Sequence, residues 1–139
     1  MNIDDIEIIL VEDNPDDAFF TKRAFIEANV NNQILILTDG EEAINFFFHD
    51  KSFANQTFEG KSKLILLDMN LPKVDGMTIL TKLKASESTK SIPVVILTAT
   101  ENDPKMKEAL ALGADSYIIK PVTFEGFLKV VKKLSDKYG

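Results

Sequence analysis

Five residues scattered along the chain could do chemistry together: Glu12, Asp13, Asp68, Thr98 and Lys120. They close short apolar runs. Glu12-Asp13 follows IEIILV, Asp68 follows LILL, Thr98 follows VVIL and Lys120 follows YII. Three carboxylates brought close together repel one another and raise their pKa values unless a cation sits among them. Hard oxygen donors, with no cysteine in the chain and no suitable histidine, suit Mg²⁺, which keeps several waters and accepts carboxylates plus phosphate oxygens. The ammonium of Lys120 then has a purpose as the partner of an incoming phosphate. A carboxylate is a competent nucleophile toward phosphorus, and in-line transfer is helped mainly by positioning and charge neutralisation. Asp68 is the expected nucleophile. Glu12 and Asp13 are expected to hold Mg²⁺, joined by Asp68 and the backbone carbonyl of Asn70. Lys120 would pair with the phosphoryl group, and the Thr98 hydroxyl would donate to one of its oxygens.

These residues meet only if the elements before them share a sheet. Ile6–Val11, Ile34–Leu37, Leu64–Leu67, Val94–Leu97 and Tyr117–Ile119 read as strands, separated by segments of helical period. Ser, Asp, Gly or Pro marks nearly every junction, which is the pattern of repeated βα units and a parallel sheet covered on both faces. Asn14-Pro15-Asp16-Asp17 predicts a helix start, with Asn14 as N-cap, Pro15 in the first helical position and two acids at the positive helix end. Helices are expected near 15–28, 40–48, 76–85, 104–112 and 123–136, the last with Phe124, Phe127, Leu128, Val131 and Leu134 on its apolar stripe. In an open parallel α/β sheet the carboxyl ends of the strands lie along one edge, where ligands bind. The acids, hydroxyl and ammonium should therefore converge.

Composition limits the alternatives. A chain of 139 residues with 45% hydrophobic content suits one domain with an ordinary core. An excess of 22 acidic over 16 basic residues, net charge -6, opposes nonspecific attraction to nucleic acid and anionic lipid. MNIDDIEIIL lacks a signal peptide's basic flank, and no apolar run approaches the roughly 20 residues of a membrane span. A cytoplasmic protein is expected, with residues 1–139 forming one domain; after Lys120 there is room for one helix and no output domain.

VEDNPDD, LLDMNLPKVDG, VVILTAT and YIIKPV, in that order, resemble the receiver domain of two-component response regulators from about Ile6 to Leu134. The EDNPDD opening and the long segment before the third strand are similar to single-domain regulators associated with bacterial phytochromes and other sensor histidine kinases. The resemblance implies a flavodoxin-like α/β fold, a doubly wound five-stranded parallel sheet of order 2-1-3-4-5 with five helices. It implies Mg²⁺-dependent phosphorylation of Asp68 by a histidine kinase and slow self-catalysed hydrolysis, so a signalling phosphoacceptor and not a turnover enzyme. It also implies a switch in which Thr98 moves toward the phosphoryl oxygen and Tyr117 rotates inward, repacking the fourth helix, fifth strand and fifth helix for a separate downstream protein. The Lys120–Pro121 bond is expected to be cis. Val130 and Tyr138, off the stripe of the last helix, suggest a phosphorylation-promoted homodimer through that same surface.

Single residues argue against other functions of similar chemistry or fold. A haloacid-dehalogenase-type phosphohydrolase needs a second Asp two positions after the nucleophile, where this chain has Asn70. An FMN carrier needs small and hydroxyl residues where Glu12-Asp13 would repel the phosphate. A pseudo-receiver, a binding module of the same fold that is not phosphorylated, is the alternative left open. Tyr117 also reads simply as a half-buried strand aromatic. In Phe46-Phe47-Phe48 the first two are expected on the sheet side and Phe48 off it. His49, the only histidine, reads as a stray helix-end residue, and His49–Lys63 as a surface loop.

Overall fold

The computed structural model describes residues 6–27, 33–49 and 62–138. Strands β1 (Ile6–Val11), β2 (Ile34–Leu37), β3 (Ser62–Asp68), β4 (Val94–Thr98) and β5 (Ser116–Ile119) form one parallel sheet in the order β2-β1-β3-β4-β5. The expected flavodoxin-like topology is present. The helices are α1 (Pro15–Glu27), α2 (Gly40–Ile44), α3 (Gly76–Ala85), α4 (Pro104–Ala111) and α5 (Phe124–Tyr138). Most of the segment read as a surface loop, 50–61, lies outside the described residues.

Alternation along the strands divides the core in two. Ile9, Val11, Ile65, Leu67, Val94 and Ile96 face α2, α3 and α4, packing with Ala43, Ile79, Leu80, Leu83 and Ala109. Ile8, Leu10, Leu64, Leu66, Val95 and Leu97 face the other way, onto Ala18 and Phe25 of α1 and Phe127, Val131 and Leu134 of α5. Phe25 and Phe127 meet edge to face with centroids 4.5 Å apart, which locks α1 to α5. Burying each such ring contributes about 1.5–3 kcal/mol. Because β3 is central and buried on both faces, its end is held from every side.

Three side-chain assignments change, at Val130, Leu128 and Phe48. Val130 is buried in the α1/α5 core, while Leu128, expected on the stripe, is 43% exposed. The buried set Phe127, Val130, Val131 and Leu134 follows the i, i+3, i+4, i+7 pattern, and Leu128 falls one step off it. Val130 is thus no free second face. Phe48, expected off the sheet side, packs against the core together with Phe46 and buried Phe47. The cause is a change of winding: after Ile44 the helix continues as a π-helix over Asn45–His49. Its wider i→i+5 turn brings Phe48 nearer the face of Ala43 than α-winding would. His49 closes that turn, as expected of a helix-end residue.

No helix among the described residues is long and apolar enough to cross a membrane.

Candidate functional site

Register aligns the chemistry. Val11 is level with Leu67, so Glu12 and Asp68 are the next pair; Asp68 is level with Leu97, and Thr98 with Ile119, one residue before Lys120. The chain leaves β1 through Asn14, whose side chain accepts from the amides of Asp16 and Asp17 at 2.9 and 3.1 Å and so caps α1 as predicted. On the other side of β3, Asp75 caps α3 by accepting from the Thr78 amide at 2.9 Å. Gly76 follows, packed so closely on the strand end that an added Cβ would lie 2.6 Å from the Asp68 carbonyl oxygen. The Lys120–Pro121 peptide bond is cis, as expected.

Lys120 is the centre of the site. Its Nζ lies 2.7 Å from Glu12 Oε1, 2.9 Å from Asp68 Oδ2 and 3.1 Å from Asp17 Oδ2. The second oxygen of Asp68, Oδ1, accepts from the Asn70 amide at 3.0 Å. Glu12 Oε1 is in ion-pair range of the ammonium but lacks an aligned hydrogen bond, and Glu12 and Asp68 are 1% and 4% exposed. Asp13 is exposed at the mouth of the crevice.

Charge is distributed unevenly among these groups. Burial, reinforced by neighbouring Asp68, pushes the Glu12 carboxyl up to about 8 against the pull of Lys120. Burial opposes ionisation of Asp68 too, but hydrogen bonds from Glu12, Lys120 and the Asn70 amide outweigh it and hold Asp68 below the usual carboxylate range. Lys120 loses solvation, yet Glu12 and Asp68 hold its ammonium above the ordinary lysine value. The two buried acids are thus pushed in opposite directions, Glu12 toward its protonated form and Asp68 toward its carboxylate.

Glu12, Asp13 and Asp68 each offer a carboxylate oxygen, all within 4.8 Å of one another. An all-oxygen, anionic donor set with one poorly satisfied buried oxygen fits a hard divalent cation. Asn70, exposed on the loop after β3, is close enough for its amide to bond Asp68.

Thr98 is buried, with Oγ1 3.1 Å from the Thr100 carbonyl and 3.2 Å from Asp103 Oδ2. Asp103 caps α4, accepting from the Lys105 amide at 3.0 Å. Tyr117 is 36% exposed on β5. Glu12, Asp13 and Asp68 thus meet as expected, with Lys120 on two of them; Thr98 is engaged by the α4 cap, and Tyr117 faces outward. Sequence reading missed two participants, Asp17 and Asp103. Asp17 looks like an ordinary first-turn acid and Asp103 like an ordinary N-cap, and the only signal was that α1 and α4 start directly beside the site.

Comparison with known proteins gives the same pattern an independent footing. Residues 8–132 match the family model for the response regulator receiver domain. The response regulator Rcp1 of Synechocystis is 31% identical over 93% of this chain and 86% of its own length; its Mn²⁺-bound structure has a TM-score of 0.69 at 29% identity, covering 95% of this chain and 92% of that one. The bacteriophytochrome response regulator AtBRR has a TM-score of 0.80 at 34% identity, covering 93% and 91%. The phosphorylated cyanobacterial phytochrome response regulator RcpA has a TM-score of 0.72 at 31% identity, covering 95% and 92%. Since the family model spans residues 8–132 and Rcp1 aligns over 93% of the chain, this protein belongs to the response regulator receiver domain family of two-component signalling.

Proposed function

We propose that the protein is a phosphoacceptor response regulator, phosphorylated on Asp68 by a sensor histidine kinase in a Mg²⁺-dependent reaction. The observation that carries this reading is the contact between Lys120 Nζ and Asp68 Oδ2 at 2.9 Å, at the carboxyl end of the central strand. A lysine so placed neutralises the carboxylate at rest and can follow the charge onto a phosphoryl oxygen. In the transfer, an Asp68 oxygen forms the new O–P bond as the P–N bond to the donor imidazole breaks, and the imidazole keeps the electron pair. Glu12, Asp13, Asp68 and the Asn70 carbonyl would hold the metal. When bound, Mg²⁺ supplies charge neutralisation for the phosphoryl oxygens. Slow hydrolysis of the acyl phosphate would reset the protein.

The output in this reading is a change of surface. Buried Thr98 would leave Asp103 for a phosphoryl oxygen, and Tyr117 would turn inward from its exposed position. The surface of α4, β5 and α5 carries exposed Leu110, Leu112, Tyr117 and Leu128, which supports contact there with a separate target or a second copy. Likeness to phytochrome-associated regulators supports a phytochrome-type kinase as partner. Residues 1–139 would then act as one receiver domain.

The test is incubation with Mg²⁺ and acetyl phosphate followed by intact mass measurement. A gain of one phosphoryl group, absent in Asp68→Asn, is the expected result; no gain would favour a pseudo-receiver. Light scattering with and without the donor tests the dimer, and an unchanged mass would remove it.

A further inference from the structure

We infer that Asp17 is a positioning residue for Lys120: it holds the ammonium from the α1 side and keeps an opposing charge at the crevice mouth until a phosphoryl oxygen displaces it. This rests on the phosphoacceptor reading of Asp68. Three carboxylates surround the one ammonium, and they come from three places in the chain: Glu12 after β1, Asp68 at the end of β3 and Asp17 in the first turn of α1. Glu12 and Asp68 are buried and belong to the acid cluster that fits a cation. Asp17 is not in that cluster, and its side chain is 36% exposed.

That difference gives Asp17 a separate task. Lysine is a point charge on a flexible stem, so its position depends on the acceptors around it. When Asp68 becomes an acyl phosphate it loses its charge, and the ammonium must turn to the phosphoryl oxygens. Glu12, fixed in the core, can keep its contact; Asp17, at the rim, is the acceptor that a phosphoryl oxygen can replace. Until then its carboxylate opposes an approaching anionic donor. The fixed geometry of α1 makes this a defined contact. Asn14 caps the helix on the amides of Asp16 and Asp17, and the Asp17 carbonyl accepts from Thr21 Oγ1 at 2.8 Å.

The charge and the positioning can be separated by two substitutions. Asp17→Asn keeps an oxygen acceptor for Lys120 but removes the charge, whereas Asp17→Ala removes both. Phosphorylation by acetyl phosphate in Mg²⁺, followed by intact mass against donor concentration, yields a half-saturating concentration and a maximal rate. Asp17→Asn should lower the half-saturating concentration roughly three- to fivefold, as suits a partly exposed charge, with the maximal rate kept and the effect shrinking in high salt. Asp17→Ala should lower it similarly but reduce the maximal rate about fivefold or more, because the ammonium is no longer held. Asp16→Asn removes a charge from the same helix turn without touching Lys120 and should leave both parameters near wild type; thermal unfolding of all three variants checks the fold. Wild-type values for Asp17→Asn, equal maximal rates in the two Asp17 variants, or the same change in Asp16→Asn would overturn the inference alone. Absence of any mass gain in the wild-type protein would remove the phosphoacceptor reading and this inference with it.

Discussion

Thr98 Oγ1 lies 3.2 Å from Asp103 Oδ2, and the other oxygen of the same aspartate caps α4 through the Lys105 amide at 3.0 Å. One carboxylate thus joins the end of β4 to the start of α4. Whatever draws the hydroxyl toward the crevice must release it from that cap. Asp103→Ala should cost about 1 kcal/mol through the lost cap, whereas Asp103→Ser keeps one capping oxygen and should stay near wild type in stability. Both remove the Asp103 acceptor and leave the Thr98 hydroxyl only its bond to the Thr100 carbonyl, so both should speed acyl phosphate formation. Thermal unfolding and intact mass kinetics check the pair; an unchanged rate in Asp103→Ser would mean that the cap does not restrain Thr98.

The same contact shows where sequence reading stops. Glu12, Asp68, Thr98 and Lys120 were legible because uninterrupted apolar runs mark where strands end, and a parallel sheet sends all those ends to one edge. Asp17 and Asp103 are not legible because acids in first turns and caps are explained by the helix itself, and their second partners are brought to them only by the fold. Phe48 packs on the side that a 3.6-residue period does not predict, because a shift to π-winding has no signature in that period. At Val130 and Leu128 the pattern was compatible with two neighbouring stripes, and contact with Phe25 and the sheet chose between them.

The metal-free site should make stability depend on pH in two opposite ways. Glu12 has a folded pKa of about 8 against 4.5 in ordinary surroundings, so the folded state keeps a proton that the unfolded state releases. Its contribution is full below about pH 4.5 and is lost as pH rises through 8. Asp68 is lowered, so its contribution is present above the ordinary value of 3.8 and disappears as pH falls further. Stability without metal should decline from pH 5 toward pH 8, and Glu12→Gln should flatten that decline. Denaturant unfolding at several pH values measures it. A flat wild-type profile over that window would contradict the raised Glu12 value.

Asp13 differs from its two companions in the acid cluster because it is exposed while they are buried. It can be changed with little disturbance of the core. Asp13→Asn should weaken Mg²⁺ binding at least tenfold, as loss of a charged oxygen ligand requires, yet shift unfolding by no more than about 0.5 kcal/mol. Titration calorimetry and denaturant unfolding separate the two quantities. Loss of both in equal measure would remove the metal role from Asp13 and make it a structural residue.

Gly76 shows how closely the fold is built around the proposed phosphoacceptor. An added Cβ there would come within 2.6 Å of the Asp68 carbonyl oxygen and 2.7 Å of Met69 Cα, both backbone atoms that cannot swing aside. Replacing a helical glycine by alanine ordinarily stabilises by about 0.5–1 kcal/mol. Overpacking costs about 1–3 kcal/mol, so Gly76→Ala should destabilise on balance. The required shift passes through the end of β3, and Asp68 moves with it; phosphorylation should slow along with the loss of stability. Gly126 is the control, since its added Cβ would meet only Thr123 Oγ1 at 3.2 Å, a side-chain atom and not strand backbone. Gly126→Ala should stay close to neutral in both measurements. If Gly76→Ala matched it in thermal unfolding and in acyl phosphate formation, close packing of α3 on the strand end could not be what fixes Asp68.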